Sequence, residues 1–176
     1  MNVQEAINAA LKLACLIPLT NSDKFVLVDK DDYFFLSKLS WSLTRGYATR
    51  RQHISSKGGV CIRKTVIMHR VINNTPKGMD TDHINGDKLD NRKENLRSCL
   101  HSENTKNKRA YNKIDKSSKY KGVSKTRQDR WLAGIGLNGK TIYLGRFDSE
   151  NLAAQAYNEA ALEYHGEFAS LNKITC

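Results

Sequence analysis

The sequence predicts an α+β fold built from two functional parts. Three observations carry that reading. A polar constellation of Asp82-His83, Asn95 and Asn104 sits where a short hairpin pattern gives way to a helical one. The segment 119–172 alternates apolar and polar residues at the period of half-buried strands, then switches to an alanine-rich helical stripe. Between them, Thr105 to Trp131 holds ten basic and two acidic residues.

Composition bounds the function. The 176 residues include 29 Lys and Arg against 18 Asp and Glu, a formal net charge of +11, which points to a polyanion as partner. No apolar run approaches the ~20 residues that a membrane helix needs. The stretch from Ala9 to Leu19 is short and interrupted by Lys12 and Pro18, so neither membrane insertion nor secretion is expected. Cys15, Cys61, Cys99 and Cys176 form no Cys-x-x-Cys pair, so no structural zinc is expected and the thiols read as reduced, space-filling groups. Nor does any feature call for an obligatory protein partner.

The elements follow in order. Val3 to Leu16 reads as a helix ended near Pro18. Phe25 to Val28 reads as a strand, and Asp31-Asp32 supplies a helix start before Tyr33. Tyr47 to Arg50 and Val60 to Ile67 read as strands, punctuated by Gly58-Gly59. Met79 to Ile84 and Asn95 to Leu100 read as a hairpin, with Asn85-Gly86 turning the chain and Asp90 or Asn91 opening a helical turn. A helix near His101 then carries Asn104. In the last block Val123, Trp131, Ala133, Ile135, Ile142 and Leu144 form inward strand positions, and Asn138-Gly139 marks a tight hairpin. Asp148 or Ser149 caps a helix that runs to about Tyr164 and is closed by Gly166. Leu152, Ala153, Ala156, Tyr157, Ala160, Ala161 and Tyr164 share its inner face. These readings divide the chain into a lead-in at 1–67, a hairpin–helix unit at 68–110, a basic linker at 111–118, and a three-strand-plus-helix domain at 119–172.

The constellation has a chemical reading. Cutting a phosphodiester needs an activated water and a cation on the scissile phosphate. A neutral histidine such as His83 suits the first task, because its unperturbed pKa lies near 6.5. Asp82 and the amide oxygen of Asn104 suit a hard cation such as Mg²⁺ or Mn²⁺. Asn95 is placed to fix the tautomer of His83. Of the other histidines, His69 either lines the site or packs structurally, and His53, His101 and His165 read as surface residues.

These residues resemble the HNH nucleases, with their ββα-metal fold, and specifically the homing endonucleases of bacteriophages. The resemblance rests on Met68-His69-Arg70, Asp82-His83-Ile84-x-Gly86-Asp87, Asn91, Asn95-Leu96-Arg97 and Ser102-Glu103-Asn104-x-x-Asn107. It implies that His83 is the general base, that Asn95 orients it, and that Asp82 and Asn104 bind a divalent metal, most simply Mg²⁺. It also implies 5′-phosphate and 3′-hydroxyl products and the cytoplasm of an infected bacterial host; a monomer with one site would nick, whereas a dimer could cut both strands. One departure is Leu100, where the family has a capping Thr; Ser102 could cap a shifted helix start.

The last block resembles the DNA-binding domain of plant ethylene-response factors of the apetala-two class. The matching residues are Tyr120-Lys121-Gly122-Val123, Trp131-x-Ala133-x-Ile135, Tyr143-Leu144-Gly145-x-Phe147, Ala153-Ala154-x-Ala156-Tyr157 and Gly166-x-x-Ala169-x-Leu171-Asn172. The resemblance implies that the sheet lies in the major groove of double-stranded DNA. Strand alternation then turns Leu132, Gly134, Gly136, Thr141 and Tyr143 outward. Lys121, Ser124 and Thr126 join them as candidate DNA contacts, with Arg127 and Arg130 at the first turn. The arginines that read bases in the plant domains are mostly replaced here, so phosphate anchoring should outweigh base discrimination. The rival reading is a non-catalytic DNA-binding regulator that keeps the nuclease fold as a scaffold.

Overall fold

The structure is a computed structural model that describes residues 14–57, 60–107 and 117–174. It is a mixed helix-and-strand chain of small antiparallel sheets that separates into two compact units, Met1–Leu100 and His101–Cys176. No helix among the described residues is long and apolar enough to cross a membrane.

The first unit opens with β1 (Ala14–Pro18), paired antiparallel to β2 (Phe25–Asp29). The helix expected over Val3–Leu16 is therefore corrected at its end, and its earlier part lies outside the described residues. The reason is a period of two: Ile17 is buried beside Val26 and Val28, while Leu16 points to solvent. Next comes α1 (Lys30–Leu36), with Asp31 and Asp32 in its first turn where they complement the helix dipole. Trp41 is almost fully buried and donates its Nε1–H to Leu36 O at 2.9 Å, which satisfies its one polar atom inside the core. A three-stranded sheet follows, in the order β3 (Ser42–Thr44), β4 (Tyr47–Lys57) and β5 (Val60–Ile67). The β4 strand runs well beyond the expected Tyr47–Arg50.

The chain then enters α2 (Met68–Ile72), which buries Met68 and His69. A hairpin of β6 (Asp80–His83) and β7 (Leu96–Cys99) completes the unit. Its long connection ends in a 3-10 turn at Lys93–Asn95 and is hydrogen-bonded to β2. Leu27 N donates to Leu89 O at 2.9 Å, and Asn91 N donates to Leu27 O at 2.8 Å. Ile17, Leu19, Val26, Val28, Leu36, Trp41, Ala48 and Met68 form the core.

The second unit begins with α3 (His101–Asn107), directly after Leu100, so the shifted start at Ser102 does not occur. It continues with β8 (Val123–Lys125), β9 (Trp131–Leu137) and β10 (Lys140–Phe147), in the order β10-β9-β8. Asn138 and Gly139 have φ of 50° and 77°, the paired positive values of a tight hairpin turn. Ser149 Oγ accepts from Leu152 N at 3.1 Å and caps α4 (Glu150–His165), which Gly166 closes at φ 53°. Its inner face presents Ala153, Ala154, Tyr157, Ala160 and Ala161, so the helix lies close on Ala133 and Ile135 of the sheet. Leu152 is exposed rather than inward, because it lies in the first turn, off the alanine stripe. Asn172 clamps the end of the unit: its side chain accepts from Lys121 N at 2.7 Å and donates to Lys121 O at 3.0 Å.

Candidate active site

Antiparallel pairing sets Asp82 opposite Arg97 and His83 opposite Leu96. Adjacent strand residues face opposite sides, and the two side chains accordingly find different neighbours. Arg97 Nε and Nη2 reach Asp82 Oδ2 at 2.9 and 2.7 Å, an ion pair in which both side chains are largely buried. That fork fixes the carboxylate in orientation.

His83 is 5% exposed and meets Asn91, whose Oδ1 lies 2.8 Å from His83 Nε2. An amide oxygen can only accept, so this bond places the ring proton on Nε2 and the basic lone pair on Nδ1. Burial pushes the imidazole below its ordinary pKa of 6.5, with the Asn91 bond and Asp82 pulling the other way. A neutral ring is the form a general base needs.

Asn95 meets different partners from those expected of it. Its Oδ1 accepts from Asn85 N at 2.9 Å and its Nδ2 donates to Asp90 O at 2.7 Å. The side chain thus ties the two ends of the connection together, and the amide that faces His83 comes from Asn91. Sequence reasoning places Asn91 in the motif but gives it no chemical task. Asp90 is braced in turn by a bidentate Arg92, at 2.9 and 2.8 Å, and by Asn85 Nδ2 at 2.8 Å. Arg92 holds the Asp90 carboxyl below the usual carboxylate range. The signal for this brace is present in the spacing, since Asp90, Asn91 and Arg92 are contiguous.

Two aromatic neighbours complete the wall. The ring of His69 stands edge-on to His83 with centroids 4.9 Å apart, and Tyr47 packs on His69 at 5.0 Å. Lys88 Nζ lies 4.3 Å from the Tyr47 ring centroid. Sequence reasoning misses Tyr47, which lies outside the motif, and Lys88, which stands at one of its unassigned positions; both reach the site only through packing. His69 is buried between Tyr47 and His83, an arrangement that both of its alternatives, lining the site and packing structurally, allow. Burial first, and the His83 ring second, lower the His69 pKa to about 3.

A stability prediction follows from that shift. Unfolded His69 takes a proton below ~6.5, but folded His69 resists one until far lower pH, so its contribution is intact above ~6.5 and falls as pH drops. Between about pH 8 and about pH 5 this amounts to ~2 kcal/mol of lost stability. Urea unfolding of wild type and His69→Gln at the two pH values checks it; equal losses in the two proteins would remove this role from His69.

In the second unit, Asn104 is half-buried on α3. The sheet's outer face carries Ser124 opposite Leu132, Thr141 opposite Gly136, and Tyr143 opposite Gly134, with Ser124, Thr141 and Tyr143 exposed as alternation predicts. A bulge between Tyr143 and Gly145 then shifts the alternation, so that Arg146 pairs with Leu132 and joins the outer face. Simple alternation turns Arg146 inward; the glycine within the strand is the available signal. Thr126 is spent on the turn, its Oγ1 accepting from Arg130 N at 3.2 Å. Arg130 pairs with Asp148 at 2.9 Å, and Arg127 is exposed. Lys121 is half-buried, its Nζ donating to Lys106 O at 2.6 Å, and burial lowers its pKa to about 8. His165, expected at the surface, is instead buried with Nε2 2.9 Å from Gly136 O, because it ends the inner face of α4. His53 and His101 are exposed.

A family model described as HNH endonuclease matches residues 73–106. An uncharacterized HNH endonuclease of Acanthamoeba polyphaga mimivirus is 32% identical over 151 residues, which span 85% of this chain and 75% of that protein. An AP2-like ethylene-responsive transcription factor of Arabidopsis thaliana is 45% identical over 60 residues, 34% of this chain and 12% of its own length. APETALA2-like protein 2 of Oryza sativa subsp. indica is 47% identical over 58 residues, 32% of this chain and 13% of its own. No solved structure matches. With a likeness of this extent to a mimivirus HNH endonuclease, and with the buried His83–Asn91 pair inside the matched stretch, the chain belongs to the HNH endonuclease family and carries a C-terminal domain of the AP2/ERF type.

Proposed function

We propose that the chain is a divalent-metal-dependent endonuclease of homing type that cuts double-stranded DNA, with its AP2/ERF-type unit gripping the duplex. The observation that carries the reading is His83, held neutral by burial and fixed in one tautomer by Asn91. In this reading His83 Nδ1 takes the proton from the attacking water, while Asn91 supports the ring and Asn95 holds the connection that positions Asn91. The rival, a non-catalytic regulator, has no use for a tautomer-fixed imidazole beside an oriented carboxylate.

Asp82 and Asn104 are the residues that would hold the hard divalent cation. Asp82 offers a buried carboxylate whose orientation Arg97 fixes, and Asn104 offers an amide oxygen. Few protein ligands suit Mg²⁺, which keeps waters and takes substrate phosphate oxygens. Among the described residues no group of three His, Cys, Asp or Glu gathers into a cluster. Once bound, the metal would supply charge stabilisation to the scissile phosphate and the departing 3′ oxygen. A single site per chain suits nicking, and the cytoplasm of an infected host cell is the natural setting for a homing enzyme.

The outer face of β8, β9 and β10 offers Ser124, Thr141, Tyr143 and Arg146, with Arg127 and Arg130 at its edge. Hydroxyls and edge arginines favour phosphate anchoring over base readout. Lys121 supports the face from within, through its bond to Lys106, rather than as an outer contact.

The test is supercoiled plasmid incubated with Mg²⁺ or Mn²⁺ and the wild-type chain, with His83→Ala as control. Intact plasmid across divalent metals and targets would sink the enzyme reading. A second expected outcome concerns orientation. Asn91→Ala should slow cleavage ~10–100-fold, the usual worth of a partner that orients a functional imidazole, at little cost in KM for DNA. Asn91→Asp keeps an acceptor for Nε2 and should retain more of the rate. Equal rates in the two variants would argue against tautomer control.

A further inference from the structure

The β4–β5 pair is far longer than the core requires. From Arg51 to Ser56, and from Val60 to Thr65, every described side chain is exposed. The ribbon therefore stands clear of the rest of its unit on both faces. A two-stranded ribbon with neither face covered is marginal in water by itself, so its length calls for a partner.

Its chemistry names that partner. The stretch 47–67 contains no Asp or Glu, while Arg50, Arg51, Arg63 and Lys64 all lie on the ribbon. Among the described residues none of the four pairs with a carboxylate. The register splits the charge between faces: Arg51 beside Thr65 and His53 beside Arg63 on one, Arg50 beside Val66 and Gln52 beside Lys64 on the other. Either face thus meets a negative wall with a cation. At the root of the ribbon, Lys38, Ser40, Ser42, Thr44, Arg50 and Arg51 line a groove. Hydroxyls interleaved with cations are the donor set that phosphate oxygens take. Near the tip, Ile54, Val60 and Ile62 are 58%, 65% and 45% exposed. Exposed branched apolar groups fit thymine methyls on the floor of a major groove, which is about 12 Å wide and admits a two-stranded ribbon.

We infer that the β4–β5 ribbon is a second duplex-DNA contact, carried by the catalytic unit itself and seated in the major groove, apart from the sheet of the AP2/ERF-type unit. The inference rests on the reading that this chain acts on duplex DNA. It makes DNA binding bipartite: the cutting unit holds its own substrate rather than being merely delivered by a tether.

The experiment measures binding of the full chain to a mixed-sequence duplex of about 30 base pairs in EDTA, as a function of salt. The variant Arg51→Ser/Arg63→Ser/Lys64→Ser should flatten the dependence of log K on log salt by ~0.9 for each phosphate that it no longer neutralises. Across a fourfold rise in salt each such phosphate is worth ~3.5-fold, so three make the wild-type affinity fall ~40-fold further than the variant's. The variant Arg51→Lys/Arg63→Lys with Lys64 kept preserves the charge and should preserve the slope. A photo-crosslinking residue at position 54 should attach to the duplex. Unchanged affinity and slope in the serine variant, a flattened slope in the lysine variant, or crosslinking to a second copy of the chain would each overturn the proposal. The nuclease reading is judged separately, since wild-type plasmid cleavage with an inert His83→Ala control would stand even if the ribbon proved idle.

Discussion

His83→Ala should cut cleavage by ~10²–10⁴-fold, the usual worth of a positioned general base, while duplex affinity stays within a factor of a few. The imidazole packs with Asn91, His69 and Tyr47, none of them a phosphate-binding cation. On the proposed function, its removal takes away the base and leaves the phosphate-binding groups in place. Gel quantification of nicked plasmid gives the rate, and fluorescence anisotropy in EDTA gives the affinity. A variant that cuts within tenfold of wild type would move the base elsewhere, and one that no longer binds would tie His83 to the DNA surface instead.

Gly122→Ala should be the most damaging single methyl in the second unit. Gly122 has φ 73°, where an L side chain costs ~1–2 kcal/mol. An added Cβ would also overlap the ring of Tyr157 and stand 2.6 Å from Gly134 O. Tyr157 is buried in the helix–sheet core and cannot swing away cheaply. Overpacking of this kind adds ~1–3 kcal/mol, for a total of ~2–5 kcal/mol, a large share of what a small domain has. Gly139→Ala is the control: its φ is 77° but a Cβ there meets nothing within 4 Å. Trp41 lies in the first unit and Trp131 in the second, so urea unfolding in a Trp41→Phe background reports on the second unit alone. Equal midpoints for the two alanine variants would mean that Tyr157 yields.

The second unit is the more legible in the sequence. Its Asn138-Gly139 turn, the Ser149 cap and the alanine stripe are local signals, each fixed by a few neighbouring residues. What escapes there is non-local. The bulge at Leu144 reverses the facing of Arg146, and His165 reaches a carbonyl 29 residues away. In the first unit the motif gives Asp82 and His83 correctly as neighbours on a strand. It assigns Asn95 to the ring, whereas the amide that meets the ring is that of Asn91; both asparagines are within reach along the chain. Their tasks are sorted by Leu27 and Asp90, which belong to different elements. The strand at Ala14–Pro18 reads as helix in the sequence because five residues that end in a proline carry too little periodicity to decide; Val26 and Val28 decide it from across the sheet.

The bonding of Leu27 to Leu89 and Asn91 has a bearing on how such enzymes can be taken apart. The stretch that matches the family model starts at 73, yet the strand that holds Asn91 in place lies before residue 30. Lys93 repeats the pattern, with its backbone N–H on Asp29 Oδ2 at 2.8 Å and its ammonium on Asp32 at 3.1 Å. The recognisable signature is therefore not a portable cartridge. An engineer who transplants it at its sequence borders would carry away the histidine and leave behind the scaffold that aims it. A transplant meant to keep Asn91 in place would have to reach back to the strand Phe25–Asp29 that bonds it.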